Sequence, residues 1–157
     1  MKKTQIGKNV PKFQLKGTQS QAFDIETYTG KKIILYFYPK DHTPGCTLEG
    51  HDFSKLKKNF EKLNAVVFGV SRDSVQSHEK FKEKQCYKID LLSDEDEVAC
   101  QIFDVIKEKN MYGKKVFGIE RSTFLIDEKG VLLHEWRKVK AEGHAQEVLD
   151  YLKLINR

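Results

Sequence analysis

The hydrophobic and polar positions along the chain change their period several times, and each change predicts a new element. The continuous apolar run at 33–38 is rich in residues that favour strands, which is typical of a central strand covered on both faces. A second apolar run at 65–70 predicts another buried strand. Between them, apolar residues at helical spacing predict one helix that runs from near Cys46 to Leu63. These residues are Phe53, Leu56, Phe60 and Leu63.

Two hairpins are predicted, one near each end of the chain. Segments 13–15 and 23–25 flank the polar turn at 17–20 and are expected to form a short hairpin at the edge of the sheet. Near the other end, segments 122–126 and 131–136 flank Asp-Glu-Lys-Gly, which is a strong hairpin turn signal.

A further helix and strand are predicted in the middle of the chain. Ser74 is a suitable N-cap for a helix that carries His78 and Phe81 and fades near Cys86. A short apolar segment at 89–92 then predicts a strand.

Two more helix signals complete the pattern. Ser93 with Asp96 forms a helix-start signature before an apolar series. That series is Val98, Ile102 and Phe103, and the last helix has an apolar face formed by Ala145, Val148, Leu149, Leu152 and Ile155. Strands that alternate with helices, followed by a hairpin and a final helix, predict a thioredoxin-like three-layer α/β sandwich with a central mixed β-sheet.

Length and composition favour a single domain over residues 1–157, with a well-charged surface. No apolar run approaches the roughly 20 residues that a membrane-spanning helix needs, so no membrane segment is expected. A polar stretch follows the basic N-terminus, where a secretory signal would carry its apolar region. The expected location is therefore cytoplasmic.

The net charge of +5 is spread along the chain and does not indicate a nucleic-acid partner. The 28 basic residues are interleaved with 23 acidic ones, and no basic run is long enough to act as an arm. The one dense local charge is acidic, at 94–97. We therefore expect a solvated charged surface and no nucleic-acid binding.

The chain contains three cysteines, Cys46, Cys86 and Cys100. An odd number does not describe a disulfide scaffold, and neither the cysteines nor the five histidines have the spacing of a zinc site. No metal site is expected. One reactive cysteine, a redox pair and three inert thiols all remain open.

Cys46 has the surroundings that an activated thiol requires. The thiolate is the reactive form, and a free thiol is mostly protonated at neutral pH unless a helix N-terminus or a nearby cation stabilises the charge. Cys46 lies where the predicted helix begins, directly after Thr43, Pro44 and Gly45. First-turn amides and the Thr43 hydroxyl could hydrogen-bond a peroxide. The alternative is that Cys46 is a small buried apolar residue.

The motif Pro39-x-x-x-Thr43-x-x-Cys46 matches the active-site pattern of the peroxiredoxins, and further segments resemble one subfamily. That subfamily is the bacterioferritin comigratory protein group, also called the Q-type peroxiredoxins. The resemblance covers nearly the whole chain. The matching segments are 36–47, 91–96, 113–127 and 139–145.

The resemblance implies a role for each of four residues. Cys46 is the peroxidatic cysteine, Thr43 hydrogen-bonds the peroxide, and Pro39 shields the thiolate from bulk water. Arg121 corresponds to the active-site arginine, which would stabilise the thiolate and hold the attacked oxygen. The residue pattern alone would make Arg121 a surface cation. Glu49, one helical turn after Cys46, is expected either to orient Arg121 or to be an exposed carboxylate.

The implied activity is that of a thioredoxin-dependent peroxidase with a role in antioxidant defence. It would reduce hydrogen peroxide and organic hydroperoxides through a Cys46 sulfenic acid, without a metal, haem or flavin. Electrons would come from thioredoxin or a glutathione/glutaredoxin-type reductant, and the protein would be a monomer. The alternative is a thiol-based redox sensor that signals through a protein partner.

The thiol that resolves the sulfenic acid stays open. His51 occupies the position where many relatives carry the resolving cysteine, and Lys82 aligns with the position used by others. Cys86 follows Lys82 by about one helical turn and is a candidate resolving thiol. Cys100 has the apolar neighbours of a packing residue. An external thiol is the third alternative.

Overall fold

The computed structural model describes residues 3–156, and strands and helices alternate along most of that range. The strands are β1 (Gln14–Gly17), β2 (Ala22–Asp24), β3 (Lys32–Phe37), β4 (Ala65–Ser71), β5 (Asp90–Ser93), β6 (Ile106–Met111), β7 (Lys114–Ile119), β8 (Ser122–Ile126) and β9 (Leu132–Trp136). The helices are α1 (Pro44–Lys55), α2 (Lys57–Lys62), α3 (Val75–Gln85), α4 (Val98–Ile102) and α5 (His144–Ile155), with a 3₁₀ helix at Ile25–Tyr28. No helix within 3–156 is both long enough and apolar enough to cross a membrane.

Seven strands form one mixed sheet in the order β2-β1-β5-β4-β3-β8-β9. Strands β3, β4 and β5 are parallel, whereas the remaining neighbours pair antiparallel. Every residue of β3 is buried, as its continuous apolar run predicts. The predicted edge hairpin is β1–β2, and the predicted Asp-Glu-Lys-Gly hairpin is β8–β9, so both predictions are confirmed.

Side chains of β3 alternate between two apolar cores on opposite faces of the sheet. Ile33, Leu35 and Phe37 belong to the core that α4 covers. Ile34 and Tyr36 belong to the core formed with residues from α1, α2, α3 and α5. The predicted three-layer sandwich with a central mixed sheet is confirmed.

Strand pairing brings two distant parts of the chain to the same end of the sheet. Phe37, the last residue of β3, pairs with Ser122, the first residue of β8. The chain leaves β3 through the loop that leads to α1, so the N-terminus of α1 lies beside the residue that precedes β8.

The structure differs from the sequence prediction in three places. The predicted helix over 46–63 is two helices, because Leu56 leaves the α-helical region with a ψ of 3°. The apolar period does not show this break, since α2 resumes in phase and Phe53 and Phe60 are both buried. The predicted Ser93–Asp96 start of α4 is wrong. Asp94 caps this helix instead, because its carboxylate accepts from the backbone amides of residues 99 and 100.

The third difference is the antiparallel pair β6–β7, which the pattern did not predict as a hairpin. Most residues of this pair are at least partly exposed, and charged residues occupy both faces of β6. Neither strand therefore has the apolar alternation that marks a half-buried strand.

Candidate active site

Cys46 lies in the first turn of α1 and is almost completely buried, with 2% of its surface exposed. Thr43 is the N-cap residue, and Pro44 begins the helix. The first i to i−4 bond of the helix runs from the Thr47 amide to the Thr43 carbonyl, at 2.9 Å. The Gly45 and Cys46 amides precede this bond and have no partner within the helix. Their dipoles favour a negative charge at the sulfur.

Arg121, the residue directly before β8, reaches Cys46. Its Nη2 lies 3.5 Å from the Cys46 Sγ, and its Nη1 donates to the Glu49 Oε1 at 2.5 Å. Gly45 permits this approach, because a Cβ at that position would lie 3.1 Å from Nη2. The structure therefore joins the sequence-predicted residues Cys46, Glu49 and Arg121 in one cluster.

Glu49 is fully buried, so of the two alternatives for this position the exposed carboxylate is wrong. Burial raises the pKa of Glu49 to about 7, although the guanidinium of Arg121 opposes the shift. Its second oxygen, Oε2, has no hydrogen-bond partner among residues 3–156. Burial lowers the pKa of Arg121, but Glu49 and the Cys46 sulfur more than offset this, and the net shift is upward.

Thr43 and Pro39 lie in the loop that connects β3 to α1, and both are half-buried. The Thr43 hydroxyl donates to the Lys40 carbonyl at 2.8 Å. Because the hydroxyl proton of Thr43 is donated to this carbonyl, the Thr43 oxygen can accept a hydrogen bond from a donor near the helix N-terminus. Pro39 comes two residues after the end of β3, at the beginning of this loop.

Tyr87 is a neighbour of Cys46 that the sequence did not single out. Its hydroxyl donates to the Thr47 carbonyl at 2.9 Å, and a Cβ at Gly50 would overlap its ring. Burial is the main cause of a strong upward shift in the pKa of Tyr87, and the nearby Cys46 sulfur adds to it. The glycine inside a predicted helix was the one available signal, since it indicates close approach by another group.

The other two thiols have different surroundings. Cys86 is exposed and ends α3 in a left-handed conformation, with φ of 56°. The residue before it, Gln85, bonds the His51 ring at 2.8 Å, so this end of α3 lies against α1. Cys100 is fully buried in the apolar core on the sheet face opposite that of Cys46. Burial and the nearby Asp94 raise its thiol pKa strongly.

Among residues 3–156, one group of side chains has atoms of the kinds that bind metals. Oxygen or nitrogen atoms of Asp41, Asp73 and His78 lie within 4.8 Å of one another. Each already makes hydrogen bonds inside the protein, including a 2.7 Å contact between His78 Nδ1 and Asp41 Oδ2. A metal would have to displace these bonds, and the arrangement is that of a closed hydrogen-bonded network.

Comparison with known proteins gives similarity over most of the sequence. Residues 6–135 match the AhpC/TSA family. Peroxiredoxin Bcp of Xanthomonas campestris pv. campestris is 55% identical over 137 residues, which cover 87% of this chain and 84% of that protein. Peroxiredoxin Bcp of Bacillus subtilis is 49% identical over 149 residues, which cover 95% of each.

Solved structures are similar in both fold and sequence. A crystal structure of a cysteine-to-serine mutant of Xylella fastidiosa PrxQ gives a TM-score of 0.94 at 45% identity, with 100% of each chain covered. A structure of the Xanthomonas campestris bacterioferritin comigratory protein gives a TM-score of 0.88 at 50% identity, with 92% of each chain covered. That work concerns alkyl peroxide reduction by the Xanthomonas protein and trapped intermediate/ligand complexes.

Proposed function

This chain belongs to the AhpC/TSA family, within the Bcp peroxiredoxins, and we propose that Cys46 is the thiol with which it reduces peroxides. The family makes the protein a thiol-dependent peroxidase that uses a thiol reductant. The observation that supports Cys46 is the 3.5 Å contact between its buried sulfur and the guanidinium of Arg121, in the first turn of α1.

In the proposed reaction the Cys46 thiolate attacks one peroxide oxygen in line with the O–O bond. The S–O bond forms as the O–O bond breaks, which gives a sulfenic acid and leaves water or an alcohol once the leaving oxygen takes a proton. The Thr43 oxygen accepts a hydrogen bond from the peroxide O–H. Arg121 and the first-turn amides donate to the oxygen on which charge develops. Pro39 limits the access of bulk water to the thiolate.

We propose that Glu49 orients Arg121. A guanidinium presents its donors in a rigid fork, so one arm fixed on Glu49 determines where the other arm points. The second arm then faces the Cys46 sulfur without the loss of side-chain entropy that a freely rotating cation would incur.

For the second half of the cycle we propose Cys86 as the resolving thiol. Its neighbours Gln85 and Tyr87 both contact α1 close to Cys46, which supports an approach after local unwinding of α3. Condensation of the sulfenic acid with the Cys86 thiol forms the disulfide and releases water, and an external dithiol then reduces the disulfide. Cys100 is buried on the opposite face of the sheet and takes no part.

We further propose a single-domain monomer that receives its electrons from thioredoxin, with a glutathione/glutaredoxin system as the competing reductant. The substrates are proposed to include hydrogen peroxide and organic hydroperoxides, as the alkyl peroxide reduction of the Xanthomonas relative suggests. Gel filtration with light scattering tests the monomer. Turnover measured with each reductant and with both peroxide classes tests the remaining choices.

The decisive experiment compares single cysteine variants. Wild-type protein, Cys46→Ser, Cys86→Ser and Cys100→Ser are each given hydrogen peroxide with thioredoxin, thioredoxin reductase and NADPH. We expect Cys46→Ser to be inactive and Cys100→Ser to keep full turnover. Activity in Cys46→Ser would refute the proposed site, and full activity in Cys86→Ser would show that an external thiol resolves the sulfenic acid.

A further inference from the structure

Buried hydrogen bonds connect the loop that leads to Cys46 with α3, and we call the side chains that form them the Asp41 network. It consists of Tyr38, Asp41, Ser77 and His78. The Asp41 carboxylate accepts from the Tyr38 hydroxyl at 2.6 Å, from the Ser77 hydroxyl at 2.8 Å and from the His78 ring at 2.7 Å. The side chains of Asp41 and His78 are 1% and 0% exposed. The backbone amide of Asp41 is held too, by Asp73.

The hydrogen bonds in the Asp41 network favour an ionised Asp41 carboxylate. Asp41 accepts from three donors and is therefore ionised. Burial raises its pKa, but the bonds and charge from His78 outweigh this, and the pKa lies below its usual range. The second ring nitrogen of His78 lies 2.9 Å from the Leu92 carbonyl, which can only accept. The His78 ring therefore bridges the Asp41 carboxylate and the Leu92 carbonyl, so it ties the loop at Asp41 to both α3 and β5.

The segment that the Asp41 network holds is a strained turn. His42 directly follows Asp41 and has a φ of 64°, a left-handed conformation that is uncommon for a residue with a side chain. Such a conformation persists when its surroundings fix it. Two contacts with α3 do so here, the Asp41–His78 bond and the packing of the His42 ring against Phe81, with centroids 4.9 Å apart. After this turn the chain continues directly into Thr43 and α1.

We propose that Asp41 and His78 are positioning residues for the peroxide reaction. Their bond fixes the loop at 39–43, and through the loop it fixes the Thr43 oxygen and the first turn of α1 relative to Arg121. Neither residue touches the peroxide. This inference rests on the proposed role of Cys46 as the reacting thiol.

The experiment separates position from charge at residue 41. Asp41→Ala removes every side-chain contact of the loop with α3 at that residue. Asp41→Asn removes the charge, but its amide can still accept from Tyr38 and donate to a neutral His78 ring. Ile126→Ala is the control for lost stability, because Ile126 is fully buried in the other core at the far end of β8 from Arg121. Urea unfolding gives the stability of each variant.

The measured quantity is the second-order rate constant for formation of the Cys46 sulfenic acid, by rapid quench, trapping and mass spectrometry. We expect Asp41→Ala to be slower by about tenfold or more, since small displacements of reacting groups have effects of this size, and Asp41→Asn to stay within about threefold of wild type. Ile126→Ala should react at the wild-type rate.

Three results would overturn the inference. They are a wild-type rate in Asp41→Ala, an Asp41→Asn rate as low as that of Asp41→Ala, and an equally slow Ile126→Ala. If Asp41→Ala does not fold, His78→Gln gives the same test, because it removes the imidazole and leaves Tyr38 and Ser77 in place. Absence of the sulfenic acid in wild-type protein would refute the role of Cys46 instead, so the two failures are distinguishable.

Discussion

The buried Glu49 carboxyl predicts that the stability of the fold decreases as the pH rises through neutrality. Its pKa is about 7 in the folded protein and 4.5 when the group is free in solution, a difference of about 2.5 units. Between these values the folded state keeps a proton that the unfolded state has released, so the free energy of unfolding falls with increasing pH. At 1.36 kcal/mol per pKa unit, the loss is about 3 kcal/mol. It is complete above the folded-state pKa.

Glu49→Gln removes this titration and keeps the shape of the side chain. Urea unfolding of both proteins with a reductant present, from about pH 5 to about pH 8, gives the difference in unfolding free energy at each pH. Titrating groups outside the cluster of Cys46, Glu49 and Arg121 are common to both proteins and cancel. We expect the stability of wild type relative to Glu49→Gln to fall by about 2.5 kcal/mol across this range, because part of the loss has already occurred at about pH 5.

Glu142→Gln is the matched control, because Glu142 is exposed and the same atoms change. The difference in unfolding free energy between Glu142→Gln and wild type should not vary in the same way with pH. A Glu49→Gln difference that is flat from about pH 5 to about pH 8, or that rises with pH, would refute the reasoning. Either result would mean that Glu49 is ionised throughout, with its charge balanced by Arg121.

Three further substitutions test single contacts. Arg121→Lys keeps the charge but loses the fork, so the rate of Cys46 oxidation by peroxide, followed by stopped flow, should fall about a hundredfold. Gly50→Ala places a Cβ 2.4 Å from the Tyr87 ring and should lower the urea unfolding free energy by about 1–3 kcal/mol, whereas an unchanged value would place the ring elsewhere. Asp94→Ala removes the cap of α4 and should lower the urea unfolding free energy by about 1 kcal/mol.

The local part of the site could be predicted from the sequence, because Cys46 and Thr43 lie close together at one helix start. Arg121 is 75 residues from Cys46, and no spacing rule connects the two. Only the family resemblance indicated it, since the contact depends on the antiparallel pairing of β3 with β8. Burial of Glu49 depends on the same long-range packing, which is why the sequence left its role open.

The Asp41–His78 pair shows a second limit of sequence analysis. The two residues are 37 positions apart and belong to a loop and a helix that meet only in the folded protein. His78 is followed at helical spacing by Phe81, so the pattern placed it on a helix and gave no reason to connect it with the loop. Polar networks of this kind depend on tertiary contacts, and the apolar period that predicts helices contains no information about them.

The two halves of the proposed cycle require α3 to be rigid at its first half and able to open at its last turn. Its first half supports the loop before Cys46 through His78 and Phe81, both buried. Its last turn is held by partly buried or exposed bonds, from Lys82 to the Ile89 carbonyl and Asp90, and between Gln85 and His51.

A disulfide between Cys46 and Cys86 needs Cα atoms within about 7 Å, and the last turn of α3 has to open to allow it. A neutral hydrogen bond contributes about 1 kcal/mol and one from the Lys82 ammonium about 1.5–3 kcal/mol, so this turn costs less to open than the whole fold, and segments of low local stability open first. Opening it breaks no bond of the Asp41 network. The resolving thiol can therefore become mobile while the site that reacts with peroxide stays formed.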